Sequence, residues 1–181
     1  MNRILVVALV AGALVAGAAL GGLTTDPAAP ATQAKPAPEP LVGATLLDGL
    51  GNYRFPVTSS HPQVQRWFDQ GLMLTFGFNH DAAERSFMKA AELDPGCAMC
   101  WWGAALVLGP HVNSGMDPAR NQDAWTRLQR AVALAPKATE RERAFIHALE
   151  ARYAQNPPDD RRTLDGAYAQ STAMLMRDRP D

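Results

Sequence analysis

A helix–turn–helix pattern that recurs along the middle of the chain limits its fold more than any other feature. From Trp67 to Pro95 the residues read W-F-D-Q-G-L-M-L-T-F-G-F-N-H-D-A-A-E-R-S-F-M-K-A-A-E-L-D-P. Trp67, Gly71, Leu74 and Phe78 fall on one face of a first helix, and Ala83, Phe87, Ala90 and Ala91 on one face of a second. Gly71 and Ala83 are small enough to bring the two helices close, with Trp67 and Phe87 filling the space beside them. Trp67 returns 34 residues later as Trp101. Ala83, Phe87, Ala90 and Pro95 return 41 residues later as Ala124, Leu128, Ala131 and Pro136. The difference of seven places an insertion between the halves of the second pair, over Gly109–Gly115, where Gly and Pro punctuate the chain. The expected fold is all-α.

Local signals set the expected helix limits. Ser60 with Gln63 opens a helix over 60–78, with Pro62 in its first turn. Asn79, Asp81 and Glu84 supply an Asx cap and a D-x-x-E capping box for 81–94, and Pro95 stops that helix. A helix over 98–109 pairs with one over 117–134, which Asp117 caps ahead of Pro118. Thr139 and Glu142 form a further capping box, opening 139–155 with Phe145, Ile146, Leu149 and Tyr153 on its apolar face. Asp160 caps a last helix over 160–177. The expected architecture is therefore three antiparallel pairs, the third degenerate.

This 34-residue period, with its W…G…A…F…A…P spacing, resembles the tetratricopeptide repeat (TPR). The match is close over residues 60–136 and loose over 139–180. The words F-N-H-D (78–81), L-D-P-G-C-A-M-C-W-W-G (93–103) and L-G-P (108–110) resemble a family of exported bacterial TPR proteins. That resemblance implies a helical solenoid over 60–181 that binds a protein or peptide on the concave surface of its first helices. It implies no chemistry. A solenoid needs a polar terminal helix to cover its last apolar face, and none follows residue 177, so a fragment or a partner-covered end is expected.

The N-terminal forty residues have a different composition. Met1-Asn2-Arg3 precedes an uncharged apolar run from Ile4 to about Leu23. This pattern is that of a cleaved signal peptide or a retained membrane anchor over 1–23. Residues 24–40 are a Pro/Ala-rich linker that cannot bury apolar surface. Residues 41–59 form an apolar, Gly-punctuated lead-in, expected to cover the start of the solenoid. These segments predict an exported protein, periplasmic or tethered to the membrane by its N-terminus. The net charge of −1 becomes −2 once Arg3 is set aside, and no basic stripe is present. Nucleic-acid binding is therefore not expected.

Three constellations are candidates for chemistry. Cys97-Ala98-Met99-Cys100 opens a helix, and an oxidising compartment predicts a local disulfide there. Two packing thiols, or a redox or metal role, are the alternatives; no βαβ pattern surrounds the motif, and Trp101 stands where haem attachment needs His. Cys97, Cys100, His80 and His111 cannot form one metal site, because a helix of about thirteen residues separates the cysteines from His111 by roughly 20 Å. His80 and His111 at neighbouring turns, expected about 10 Å apart, form a second candidate with Asp81, Asn113 and Asp117 for a transition metal or small ligand. The bland reading of these residues is turn and cap hydrogen bonding. Trp67, Trp101 and Trp125 are read as core and Trp102 as the exposed tryptophan. Glu84 is read as a helix-start carboxylate. No catalytic constellation is present, and no cofactor is expected outside the metal alternative.

Overall fold

The computed structural model describes residues 43–178. The expected signal or anchor, the Pro/Ala linker and the first two lead-in residues lie outside the described residues. Within them the chain is helical, without a strand: α1 Val64–Phe76, α2 His80–Leu93, α3 Ala98–Leu106, α4 Pro118–Leu134, α5 Glu140–Glu150 and α6 Arg162–Asp178. A 3₁₀ turn over Ala135–Lys137 follows α4. Helices α1 and α2, α3 and α4, and α5 and α6 pack as consecutive pairs. The pairs are joined through α2 with α3, and through α5 with both α3 and α4.

The first two pairs close around Phe87. Its ring is fully buried, 5.4 Å from the Phe68 ring. A Cβ added to Gly71 would meet the ring at 2.6 Å, and one added to Gly103 at 2.4 Å. Glycines on α1 and α3 thus let two helices approach one α2 side chain from both sides, which no larger residue permits. Ala83, Ala90, Ala124, Leu128 and Ala131 are also fully buried, as their repeat positions predict. Pro95 and Pro136 are exposed and serve only as terminators.

Several local expectations fail. Ser60 and Gln63 do not form a capping box: α1 starts at Val64 with no side-chain cap, and Ser60 bonds to Asp94 instead. The cap of α2 is Asn79, whose side chain accepts from the Ala82 N–H, so Asp81 and Glu84 are not a box. Glu84 is buried, and its carboxylate meets Arg127 at 2.7 Å and also pairs with Arg120, both from α4. The α2 pattern alone cannot announce partners that lie in another helix. Trp102, expected outside, is 7% exposed; its indole N–H donates to the Phe145 carbonyl at 3.0 Å. Trp101 is only partly buried and donates to the Pro95 carbonyl. The 34-residue register holds, but its more buried members are Phe68 and Trp102, one position later than the tryptophans Trp67 and Trp101.

The Asp117 cap of α4 and the Thr139–Glu142 capping box of α5 form as the sequence predicts. Helix α5 ends at Glu150, before the Asn156-Pro157-Pro158 stop. Tyr153 is therefore outside it, buried with its hydroxyl on the Ala105 carbonyl at 2.8 Å. Helix α6 has no buried residue, and Met174 and Met176 are exposed.

Candidate functional site

The first helices of the three pairs carry Phe68, Trp102 and Phe145, and the chain's own lead-in occupies part of the surface they form. Residues 43–63 have no helix or strand. Gly49 and Gly51 take φ of +82° and +88°, the left-handed region that glycine enters without strain. Pro56 holds Phe55 in the extended form, and the Phe55 ring then enters the core, 7% exposed. It meets Phe145 edge-on at 5.2 Å and Phe68 at 6.1 Å, and the Arg141 guanidinium lies 4.3 Å above it. Such aromatic and cation–π contacts add to the area the ring buries.

A segment outside any helix or strand has no ladder partners of its own, so side chains of the helical body supply them. The Leu47 N–H donates to Gln70 Oε1 at 2.8 Å and the Phe55 N–H to Asp69 Oδ1 at 3.0 Å. The Val57 N–H donates to Gln65 Oε1 at 3.1 Å. The Thr58 N–H and hydroxyl donate to the two oxygens of Glu142, at 2.5 and 2.7 Å. Asp94 Oδ2 accepts from the Ser59 hydroxyl at 2.6 Å, the Ser60 N–H at 2.8 Å and the Ser60 hydroxyl at 3.1 Å. Five backbone N–H groups are thus read by side chains of α1, of α5 and of the turn after α2. Gln65 and Gln70 also donate to the carbonyls of Phe55 and Thr45.

These contacts shift three carboxyls. Burial pushes Asp94 and Glu142 up, but the hydrogen bonds from Ser59, Ser60 and Gly96 to Asp94, and from Thr58 and Thr139 to Glu142, outweigh it. Both end below their ordinary values of 3.8 and 4.5. Asp69 ends above its ordinary value because burial outweighs the bonds from Phe55 and Gln65. A carboxyl lowered in the folded state stabilises above its unfolded pKa, and that stability is lost as pH falls through the folded pKa. Asp69 works in the opposite sense. Two anchors against one predict that the segment loosens first as pH falls below about 4.5, the Glu142 reference value. Proteolysis followed from pH 7 to pH 3 should open 45–60 before the helices; simultaneous loss of both would show that the two carboxylates do not hold the segment separately.

His80 and His111 are closer than the repeat geometry implies. Their ring centroids are 4.1 Å apart and nearly parallel, at 17°, not about 10 Å. His80 is the first residue of α2, and the inserted loop folds inward on it. The fold of that loop is a tight turn, in which the His111 and Ser114 backbones exchange hydrogen bonds of 2.8 and 3.0 Å. The expected polar shell is otherwise employed. Asp117 caps α4, Asp81 lies 4.0 Å from Arg120, and the Asn113 N–H donates to His111 Nδ1. Among the described residues, no three His, Cys, Asp or Glu side chains gather as a metal-holding group. Phe78, beside both imidazoles, is half exposed and has a left-handed φ of +60°.

Cys97 and Cys100 are bonded to each other, their sulfurs 1.99 Å apart, and neither residue is exposed. Cys97 is the N-cap of α3 and accepts the Cys100 N–H. A thiol–disulfide exchange partner needs access to a sulfur, and this pair offers none. The native protein should therefore take up no alkylating reagent, and two equivalents after reduction in denaturant, by intact mass. Alkylation of the native, unreduced chain would overturn this.

Phe55, Phe68, Asp69, Asp94 and Glu142 were not legible as site residues. The signal that could have found them is the lead-in itself: F-P-V-T-S-S combines an aromatic with hydroxyls and has no turn signature. Compared against family models, curated proteins and solved structures, the chain matches none. Among the described residues no helix is long and apolar enough to cross a membrane.

Proposed function

We propose that this chain is an exported, membrane-associated scaffold of the tetratricopeptide type that binds a protein or peptide partner on the surface of its first helices. One observation carries the reading. That surface already holds an irregular segment through an aromatic socket and side-chain bonds to five backbone N–H groups. Side-chain acceptors on a helical surface can satisfy the backbone N–H groups of a chain that brings no partners of its own. The apolar run over 4–23 and the Pro/Ala linker supply the export and tethering half of the reading.

The test has two arms. Residues 1–40 fused to alkaline phosphatase should give periplasmic activity. A tagged full-length chain with a photo-crosslinking residue at position 141, isolated from the native envelope, should carry a specific protein adduct. An inactive fusion, or a chain recovered without an adduct, overturns the corresponding half.

The competing reading is a transition-metal site at the His80–His111 pair, whose rings are stacked. Imidazole lone pairs lie in the ring plane, and two nearly parallel planes do not converge on one ion. Binding therefore needs one ring to turn. Calorimetric titration of the full chain with Cu²⁺ or Zn²⁺ should show no affinity tighter than micromolar. Nanomolar binding lost in His80→Ala or His111→Ala would establish the metal reading in place of the scaffold.

A further inference from the structure

We infer that the partner's contact segment is an extended peptide of the same chemistry as residues 55–60. It has an aromatic followed by proline, then a residue presenting its N–H, then two or three hydroxyl side chains, and it takes the place of the resident segment. The inference rests on the scaffold reading and deepens it by naming what the surface selects.

The selectivity is visible in the contacts. Phe55 enters a socket made by Phe68 and Phe145 with Arg141 across its face. A flat ring fills that space, and an aliphatic side chain forfeits the guanidinium contact. Proline at the next position donates no N–H and none is asked for: the acceptors Gln65 and Glu142 meet residues 57 and 58. Glu142 takes both an N–H and a hydroxyl from residue 58, and Asp94 takes hydroxyls from residues 59 and 60. Two carboxylates that accept five donors from residues 58–60, three of them hydroxyls, favour Thr and Ser, and they repel Asp, Glu or a phosphorylated hydroxyl.

The resident segment is the kind of occupant a second peptide can replace. It makes no backbone ladder, and its hold is spread over separate side-chain contacts. Truncating Phe55, a residue of the segment itself, removes one contact without changing a residue of the receptor.

The test is titration of a fluorescein-labelled peptide with the sequence of residues 45–60 into the purified full chain, read by anisotropy. Phe55→Ala weakens the resident segment without touching the receptor, so that variant should bind the peptide at least 10-fold more tightly than the unaltered chain. Adding Glu142→Gln to it should weaken binding again by 10-fold or more. A peptide with alanine at its phenylalanine, or with phosphothreonine at position 58, should not bind. Absence of saturable binding to a Phe55→Ala chain that melts cooperatively, or equal binding of the alanine peptide, overturns the inference. If Phe55→Ala does not fold, hydrogen exchange on the unaltered chain decides. Excess peptide should speed exchange at Leu47, Phe55, Val57 and Thr58 while α1 stays protected, and unchanged exchange there overturns it. Purified components make the outcome independent of export and of envelope capture: an adduct at position 141 without peptide binding would mean a partner that leaves the resident segment in place.

Discussion

Phe87→Ala lowers the stability of the folded unit by about 3–5 kcal/mol, the range for emptying a fully buried aromatic site. The thermal midpoint should fall by roughly 10–20 °C. The size of the loss follows from the surroundings. Phe87 meets Phe68 on one side and the backbones of Gly71 and Gly103 on two others, and helices held in pairs cannot collapse far into the gap. The same geometry predicts a change of sign. Gly103→Ala alone overpacks the site, because its methyl falls on the ring; that should destabilise by about 1–3 kcal/mol. In the Phe87→Ala background the methyl enters empty space, and the substitution should become neutral or stabilising. Chemical denaturation of the four proteins gives the coupling directly. Additive effects would place the ring somewhere other than between the glycines.

Glu84→Ala is the second large effect. One buried carboxylate receives Arg127 and Arg120 between α2 and α4, and its removal leaves the Arg127 guanidinium without a counter-charge and Arg120 with only Asp81, at 4.0 Å. Breaking a buried pair from one side destabilises by about 3–5 kcal/mol. Arg120 is about one-third exposed and can turn to water, so the lower end of that range is expected here. Glu84→Ala combined with Arg127→Leu and Arg120→Leu should recover much of the loss. An exposed helix-start carboxylate, by contrast, would contribute under about 1 kcal/mol. A loss that small, with no recovery in the triple variant, would return Glu84 to that role.

The helices could be read from the sequence because their information is local. Periodicity put Ala83, Phe87, Ala124, Leu128 and Ala131 inside, and they are fully buried. Asp117 and Thr139 announce their helices within three residues, and both caps form. Errors appear where the deciding partner is remote. Glu84 looks like a cap until α4 brings its arginines, and Ser60 looks like a cap until Asp94 takes its N–H. The two tryptophans exchange roles because Trp102 finds a carbonyl on α5. His80 and His111 are placed too far apart by the spacing of neighbouring turns, because the inserted loop is turned in by its own hydrogen bonds. The candidate site was the least legible. An irregular segment carries no period, and its fit depends on a socket assembled from α1, α5 and the turn after α2.

The bond between Thr58 and Glu142 spans 84 residues of chain, and synthesis runs from the N-terminus. Residues 55–60 emerge early, but one wall of their socket is made only when α5 has followed. Contacts of this separation form late, because a long loop must close before they return any free energy. Helices α1 and α2 can pair with the segment held by its short-range bonds to Gln65, Asp69 and Gln70, so the contacts of residues 55 and 58 with α5 are the last to form. During that interval Phe55 lacks Phe145 and Arg141, and the half-built socket is open to any extended chain that passes.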